Sequence, residues 1–252
     1  MTAAPQASVE DLPQQDGQPS RAQLQRKGRL QINTAVLVLI LVITAAGILA
    51  QRSMAGPGTP PYYGPYAPVT QTADNTVTMV QPGVTKPVLQ VYEDFQCPIC
   101  AEFEMANGGT IEKLAFQGQV KVIYHPFTIF VGSQPRQANS TRAWAAAKCV
   151  PTGSWVGYHN LLYANQPSET AENGFPITQL LAIGRRIRLT SSAFTQCVTS
   201  QRYAAQLVPL SNRIVKGGVD ATPTIRLNGQ PVLLITLVSP NEVLSQLILA
   251  AH

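Results

Sequence analysis

Two cysteines three positions apart, at the seam between a β-like run and a helix-like one, constrain this chain more than any other feature. Val88-Leu89-Gln90-Val91-Tyr92 is apolar and β-prone, which predicts a strand. It runs through Glu93-Asp94-Phe95 into Cys97-Pro98-Ile99-Cys100, and Ala101–Leu114 then reads as a helix. A cysteine at a helix start faces free backbone N–H groups and the positive end of the helix dipole. Both favour thiolate, the nucleophilic form of cysteine. The dipole alone supplies about 0.3–1 kcal/mol, less than one pKa unit at about 1.4 kcal/mol. A strongly acidic thiol here therefore needs direct N–H···S contacts or a helpful neighbour. Pro98 falls in the first helical turn, where its missing N–H is no loss. Cys100, one turn in and more shielded, can attack a mixed disulfide on Cys97 and release the bound partner.

Two other uses of such a pair are weaker. A structural zinc site normally takes four ligands. No second CxxC is present, and none of His125, His159 and His252 has ligand spacing to the cysteines, so no metal site is expected. A passive disulfide spanning two residues is sterically tight and easily reduced, which makes it an unusual staple. Glu93 and Asp94 precede the pair. They are expected on the solvated surface, because acids are rarely buried unpaired; the alternative is a buried acid that relays protons. Phe95 reads as a core aromatic.

The rest of the domain alternates in a definite order. Thr76–Val80 and Gln119–Tyr124 are strand candidates on either side of the cysteine segment. A helical region follows, with helices expected over Gln137–Cys149, Trp155–Ala164, Ile177–Ile187, Ser191–Thr199 and Arg202–Lys216, the last ended by Gly217-Gly218. The end returns to β structure: Pro223–Leu227, the hairpin signal Asn228-Gly229, and Pro231–Leu237. Ser239-Pro240-Asn241-Glu242 opens a final helix with a fitting cap and a possible capping box. Val243, Leu244, Leu247 and Ile248 lie on one face of that helix.

The amino-terminal third is organised differently. From Thr34 to Ala50 the chain carries no charge, and counted from Ile32 the run spans 19 residues, roughly 28 Å as a helix. That suits a hydrocarbon core of about 30 Å. Arg21, Arg26, Lys27 and Arg29 precede it, whereas only Arg52 follows before Lys86. The positive-inside rule then puts the amino terminus in the cytoplasm and the domain outside. A cleaved signal peptide is the competing reading, and it exports the same domain. Expected boundaries are a disordered cytoplasmic tail over 1–29, a single-pass anchor over 30–51, a Pro/Gly-rich linker over 52–74, and the domain over 75–252. Only 12% of residues are charged and the net charge is +5. No Lys/Arg-rich run is present, which excludes nucleic-acid binding of the usual basic-patch kind.

The stretch VYEDFQCPIC, with VDATPTIRLNGQPV about 125 residues later, resembles the DsbA-like branch of thioredoxin-fold proteins. The likeness is to membrane-anchored, extracytoplasmic members from Gram-positive actinobacteria, and it covers about residues 75–252. It implies an α/β thioredoxin fold with a helical insertion at about 134–216, preceded here by one transmembrane helix. It also implies dithiol–disulfide exchange, with Cys97 attacking and Cys100 resolving. Pro223 matches the family's cis-proline, packed against the active-site sulfurs, and Thr222 matches the residue before it, which touches substrate backbone. Pro98 and Ile99 lie between the cysteines, on the substrate side. Strongly oxidising relatives carry His there, so this chain is expected to be a milder oxidant. Cys149 and Cys197 are expected to form a structural disulfide across the insertion, worth roughly 4 kcal/mol in the chain-entropy model; two buried free thiols are the alternative. Neither metal nor organic cofactor is required. The implied partners are exported proteins bearing cysteines and, for reoxidation, a membrane protein of the vitamin K epoxide reductase type. An isomerase, a reductase, or an exported binding domain without exchange activity is the alternative to an oxidase.

Overall fold

The computed structural model describes residues 64–72, 75–233 and 242–252. The tail, the anchor and most of the linker expected over 1–74 lie outside them. Among the described residues, no helix is long and apolar enough to cross a membrane.

A six-stranded mixed sheet forms the frame. Its strands are β1 (Val69–Gln71), β2 (Val77–Met79), β3 (Val88–Glu93), β4 (Lys121–Pro126), β5 (Thr224–Leu227) and β6 (Gln230–Val232), in the spatial order β1-β2-β4-β3-β5-β6. β3 and β4 are parallel, with Val91 opposite Tyr124, and the other neighbours are antiparallel. The crossover between β3 and β4 is helix α1 (Pro98–Phe116), which carries both candidate cysteines. Parity along β3 puts Leu89, Val91 and Glu93 on its buried face and leaves the residues between them partly exposed.

The strand at Val69–Gln71 lies inside the stretch expected to be linker. Pro and Gly dominate that stretch, but Val69-Thr70-Gln71 is free of both and pairs with Val77–Met79. Ordered structure therefore begins before residue 75. At the other end Asn228 and Gly229 take φ of +50° and +82°, the left-handed values a tight hairpin turn demands. Asn228 also ties the hairpin to the start of β3, since its N–H donates to Val88 O at 2.8 Å and its Oδ1 accepts from Val88 N at 2.9 Å.

Between β4 and β5 run five helices: α2 (Arg136–Lys148), α3 (Trp155–Ala164), α4 (Ile177–Arg186), α5 (Ser192–Thr199) and α6 (Leu207–Lys216). The helix expected over 202–216 divides into a short 3-10 turn, Ala204–Gln206, and α6. Pro209 explains the break: it has no N–H to donate, so it is tolerated only in the first turn of a helix. Ser191 Oγ caps α5 by accepting from Phe194 N at 3.2 Å. α3 packs on α1, so the helical region and the sheet share one core, with Phe95, Phe103, Tyr124, Trp155, Tyr158 and Leu162 all buried. Each such side chain contributes about 1.5–3 kcal/mol on burial. The last helix, α7 (Glu242–Ala250), also packs on α1 and buries Leu244 and Ile248, while Leu247 stays partly exposed. The proposed cap at Ser239 and strand residues 234–237 lie outside the described residues.

Candidate active site

β3 delivers the chain to the cysteines, and Cys97 is the N-cap residue of α1, with Pro98 in its first turn. No side chain caps this end, and of the first-turn N–H groups that of Cys100 serves the Cys97 sulfur. Cys97 and Cys100 are both free thiols and both buried. Pro98 and Ile99, between them, are exposed, with Ile99 at 38%. The Thr222–Pro223 bond is cis. Pro223 is buried, and Cys97 Sγ reaches Thr222 O at 3.4 Å. The fold therefore gathers Cys97, Cys100, Thr222 and Pro223 at one place, although 125 positions separate Cys97 from Thr222.

The two sulfurs titrate apart. The Cys100 thiol donates to Cys97, which pulls the Cys97 pKa down to about 6 against the opposing effect of burial. Thr222 and the backbone N–H of Cys100 pull in the same direction as the Cys100 thiol, and Asp94 weakly opposes them. Burial, together with the same hydrogen bond seen from the donor's side, pushes Cys100 well above the usual thiol range. One thiol is thus a thiolate near neutrality, and the other holds its proton.

Glu93 and Asp94 are expected on the solvated surface, but the structure places them inside. Glu93 follows the parity of Leu89 and Val91 into the core, and Asp94 is the hub of the loop behind the cysteines. Asp94 Oδ1 accepts from Ser140 Oγ at 2.6 Å and Gln96 N at 2.9 Å, and Oδ2 accepts from Thr128 Oγ1 at 2.8 Å and Ile129 N at 3.1 Å. Burial raises its pKa to about 6 in spite of these four donors. Glu93 meets His159 from α3, whose Nε2 lies 2.9 and 3.1 Å from its two oxygens, and it accepts from Tyr163 Oη at 3.2 Å. Glu104 and Glu112 of α1 are buried beside this pair, and desolvation pushes both carboxyls up.

Sequence reasoning missed a further contact. Gln166, just after α3, donates its amide N–H groups to Phe95 O and Cys97 O, each at 2.9 Å. Nothing local in the sequence marks this glutamine. Strand parity, by contrast, could have placed Glu93 inside. Phe95 is buried against His159 and Tyr163, with ring centroids 5.7 and 5.3 Å away. Cys149 and Cys197 lie apart from this site. They are disulfide-bonded, with Cα atoms 5.9 Å apart, and join the end of α2 to α5.

Comparison with known proteins bears on this geometry. A thioredoxin family model matches residues 83–246. No curated protein matches the chain. Among solved structures, the chain is similar to the reduced form of the disulfide bond oxidoreductase DsbG from Mycobacterium tuberculosis. The identity is 29%, over 72% of this chain and 83% of that one, with a TM-score of 0.52. It is similar to reduced DsbA from the same organism at 25% identity, covering 73% of this chain and 98% of that one, with a TM-score of 0.53. MdbA, a thiol-disulfide oxidoreductase from Actinomyces oris, shares the fold at 20% identity and a TM-score of 0.60, over 72% of this chain and 88% of that one.

Proposed function

The chain belongs to the thioredoxin family, in its DsbA-like branch, and from that premise we propose that it oxidises cysteine pairs in exported proteins. The protein is a disulfide oxidoreductase, and the observation that carries its direction is the split between its two thiols. In the oxidised form a substrate thiolate attacks Cys97 Sγ, and the Cys97–Cys100 bond breaks. Cys100 leaves as a thiolate and takes up a proton, the one given up when the substrate thiol ionised, as its high pKa favours. A second substrate thiolate then attacks the mixed disulfide, and Cys97 departs as a thiolate, which its low pKa makes easy. Two electrons pass from substrate to enzyme, and the substrate gains a disulfide. Thr222 and Pro223 would hold the substrate strand beside Cys97, with Pro98 and Ile99 as the exposed rim.

A Cys97 pKa of about 6 falls between about 7 for thioredoxin and about 3.5 for DsbA. Pro98 and Ile99 offer no charge or donor that would lower it further. The potential should therefore lie between about −270 mV for thioredoxin and about −120 mV for DsbA. The same neutral pair favours, as a second reading, a reductase or isomerase over a strong oxidant. The uncharged run over 34–50 and its basic flank support a single-pass anchor with the domain outside the cell membrane. The Cys149–Cys197 disulfide suits such an oxidising compartment. Reoxidation would then fall to a membrane protein of the vitamin K epoxide reductase type.

Trapping with Cys100→Ala in membranes tests this directly. That variant cannot resolve its mixed disulfides, so exported proteins with cysteine pairs should accumulate on Cys97. Capture of a thiol-maturation factor alone would make the chain a reductase.

A further inference from the structure

Glu112, Asn160 and His159 form a chain that ends at two carboxylates. Asn160 Nδ2 donates to Glu112 Oε1 at 2.6 Å. That fixes the amide, so Asn160 Oδ1 faces His159 Nδ1 at 3.0 Å and Nδ1 must carry a hydrogen. In the neutral ring, Nε2 is then a bare lone pair. It points at both oxygens of Glu93, which are acceptors themselves. Either a proton, which makes His159 and Glu93 an ion pair, or a metal ion has to lie between them.

A second proton on His159 would satisfy Glu93 and leave the third member unsatisfied. Glu104 is nine-tenths buried, and its Oε1 has no hydrogen-bond partner. One ligand atom each from Glu93, Glu104 and His159 lie within 4.8 Å of one another. Glu104 therefore sits close to the pair without hydrogen bonding to it, near enough for a small inward shift to let all three share a cation. α1 also makes room for this carboxylate: a Cβ at Gly108 would stand 2.8 Å from Glu104 Oε2. Interior helical glycine is less favourable than alanine, so the space has a cost.

We propose that Glu93, Glu104 and His159 bind one divalent first-row transition metal ion, of the zinc class, in the core behind the cysteine pair. One imidazole and two carboxylates suit zinc, manganese or ferrous iron better than magnesium or calcium, which prefer oxygen alone. Two carboxylates and one divalent ion sum to zero charge, which the buried setting demands. The Glu112–Asn160 pair holds the imidazole tautomer from behind, as outer-shell groups do at metal sites. Tyr163 does the same for Glu93 by donating to its Oε2.

The experiment must exclude the thiols, which also bind zinc. The full chain carrying Cys97→Ser and Cys100→Ser is expressed without a tag in medium supplemented with zinc and manganese, purified in detergent, and assayed by elemental mass spectrometry. About one equivalent of metal should remain after dialysis, and Glu104→Gln or His159→Gln in that background should retain less than about a tenth of it. Growth with cobalt gives a readout on the Cys→Ser chain itself, which matters if the further variants do not fold. The bound ion should show a visible d–d spectrum without a thiolate charge-transfer band. Absence of stoichiometric metal on the Cys→Ser chain, or retention of metal by a folded Glu104→Gln variant, overturns the proposal.

Discussion

The two cysteine pairs of this protein use the same element for opposite ends. Cys97 and Cys100 are free and sit in the first turn of α1 beside a cis-proline. Cys149 and Cys197 are bonded across 48 positions and bind one helix to another. The first pair is surrounded by groups that separate its two pKa values, which makes its bond easy to exchange. The second joins two helices and closes a long loop, which makes it a clamp. Environment, more than spacing alone, sorts a reactive pair from a structural one.

Disabling each pair in turn should sharpen that contrast. Cys97→Ala should abolish both insulin reduction and oxidative refolding of reduced ribonuclease, while circular dichroism stays native. Activity surviving in this variant would move the exchange chemistry off α1. Next in size is a pH effect. Below about pH 6, alkylation of Cys97 by iodoacetamide should slow about tenfold per pH unit as the thiolate is lost. Cys100 should stay unreactive across the same range. The linked stability has a definite sign. Because the folded pKa is lowered from 9.0 to about 6, the reduced protein gains stability above pH 9 and loses that gain as pH falls through 6. The melting temperature of the reduced form, relative to the oxidised form, should fall in that window.

The clamp should behave differently. Cys149→Ala with Cys197→Ala should cost about 4 kcal/mol for the 48-residue separation, read by urea denaturation, with exchange activity kept at low temperature. Asp94→Asn should cost about 3 kcal/mol, because one amide oxygen replaces two carboxylate oxygens serving four donors. It should also lower the Cys97 pKa further, since Asp94 raises it. An unchanged alkylation profile would mean that the two groups are not coupled. Smallest is Ser191→Ala, which removes the cap on α5 and should cost about 1 kcal/mol.

Much of this arrangement was legible in the sequence wherever the signal is local. β3 and α1 follow from an apolar run and a helix-prone run around Pro98, and the hairpin follows from Asn228-Gly229. Pro223 is a different case. Nothing local says that its bond is cis or that it lies near Cys97, and only resemblance to a family suggested it. Burial of Glu93 runs against a general rule about acids but follows strand parity, whereas Asp94 lies past the strand, where parity gives no inward signal. The partners that make their burial tolerable, His159 and Ser140, lie 66 and 46 positions away. β1 was hidden by the Pro/Gly-rich composition around it, since three residues of pairing strand leave little trace in such a background.

Gln166 carries a consequence for engineering. Its amide holds the main chain on both sides of residue 96, and it belongs to the helical region between β4 and β5. The redox motif is therefore not a portable cassette. Grafting Cys97-Pro98-Ile99-Cys100 into a smaller scaffold would carry over the sulfurs without the scaffolding that aims them, and trimming the insertion to build a minimal oxidant would loosen the same loop from the other direction.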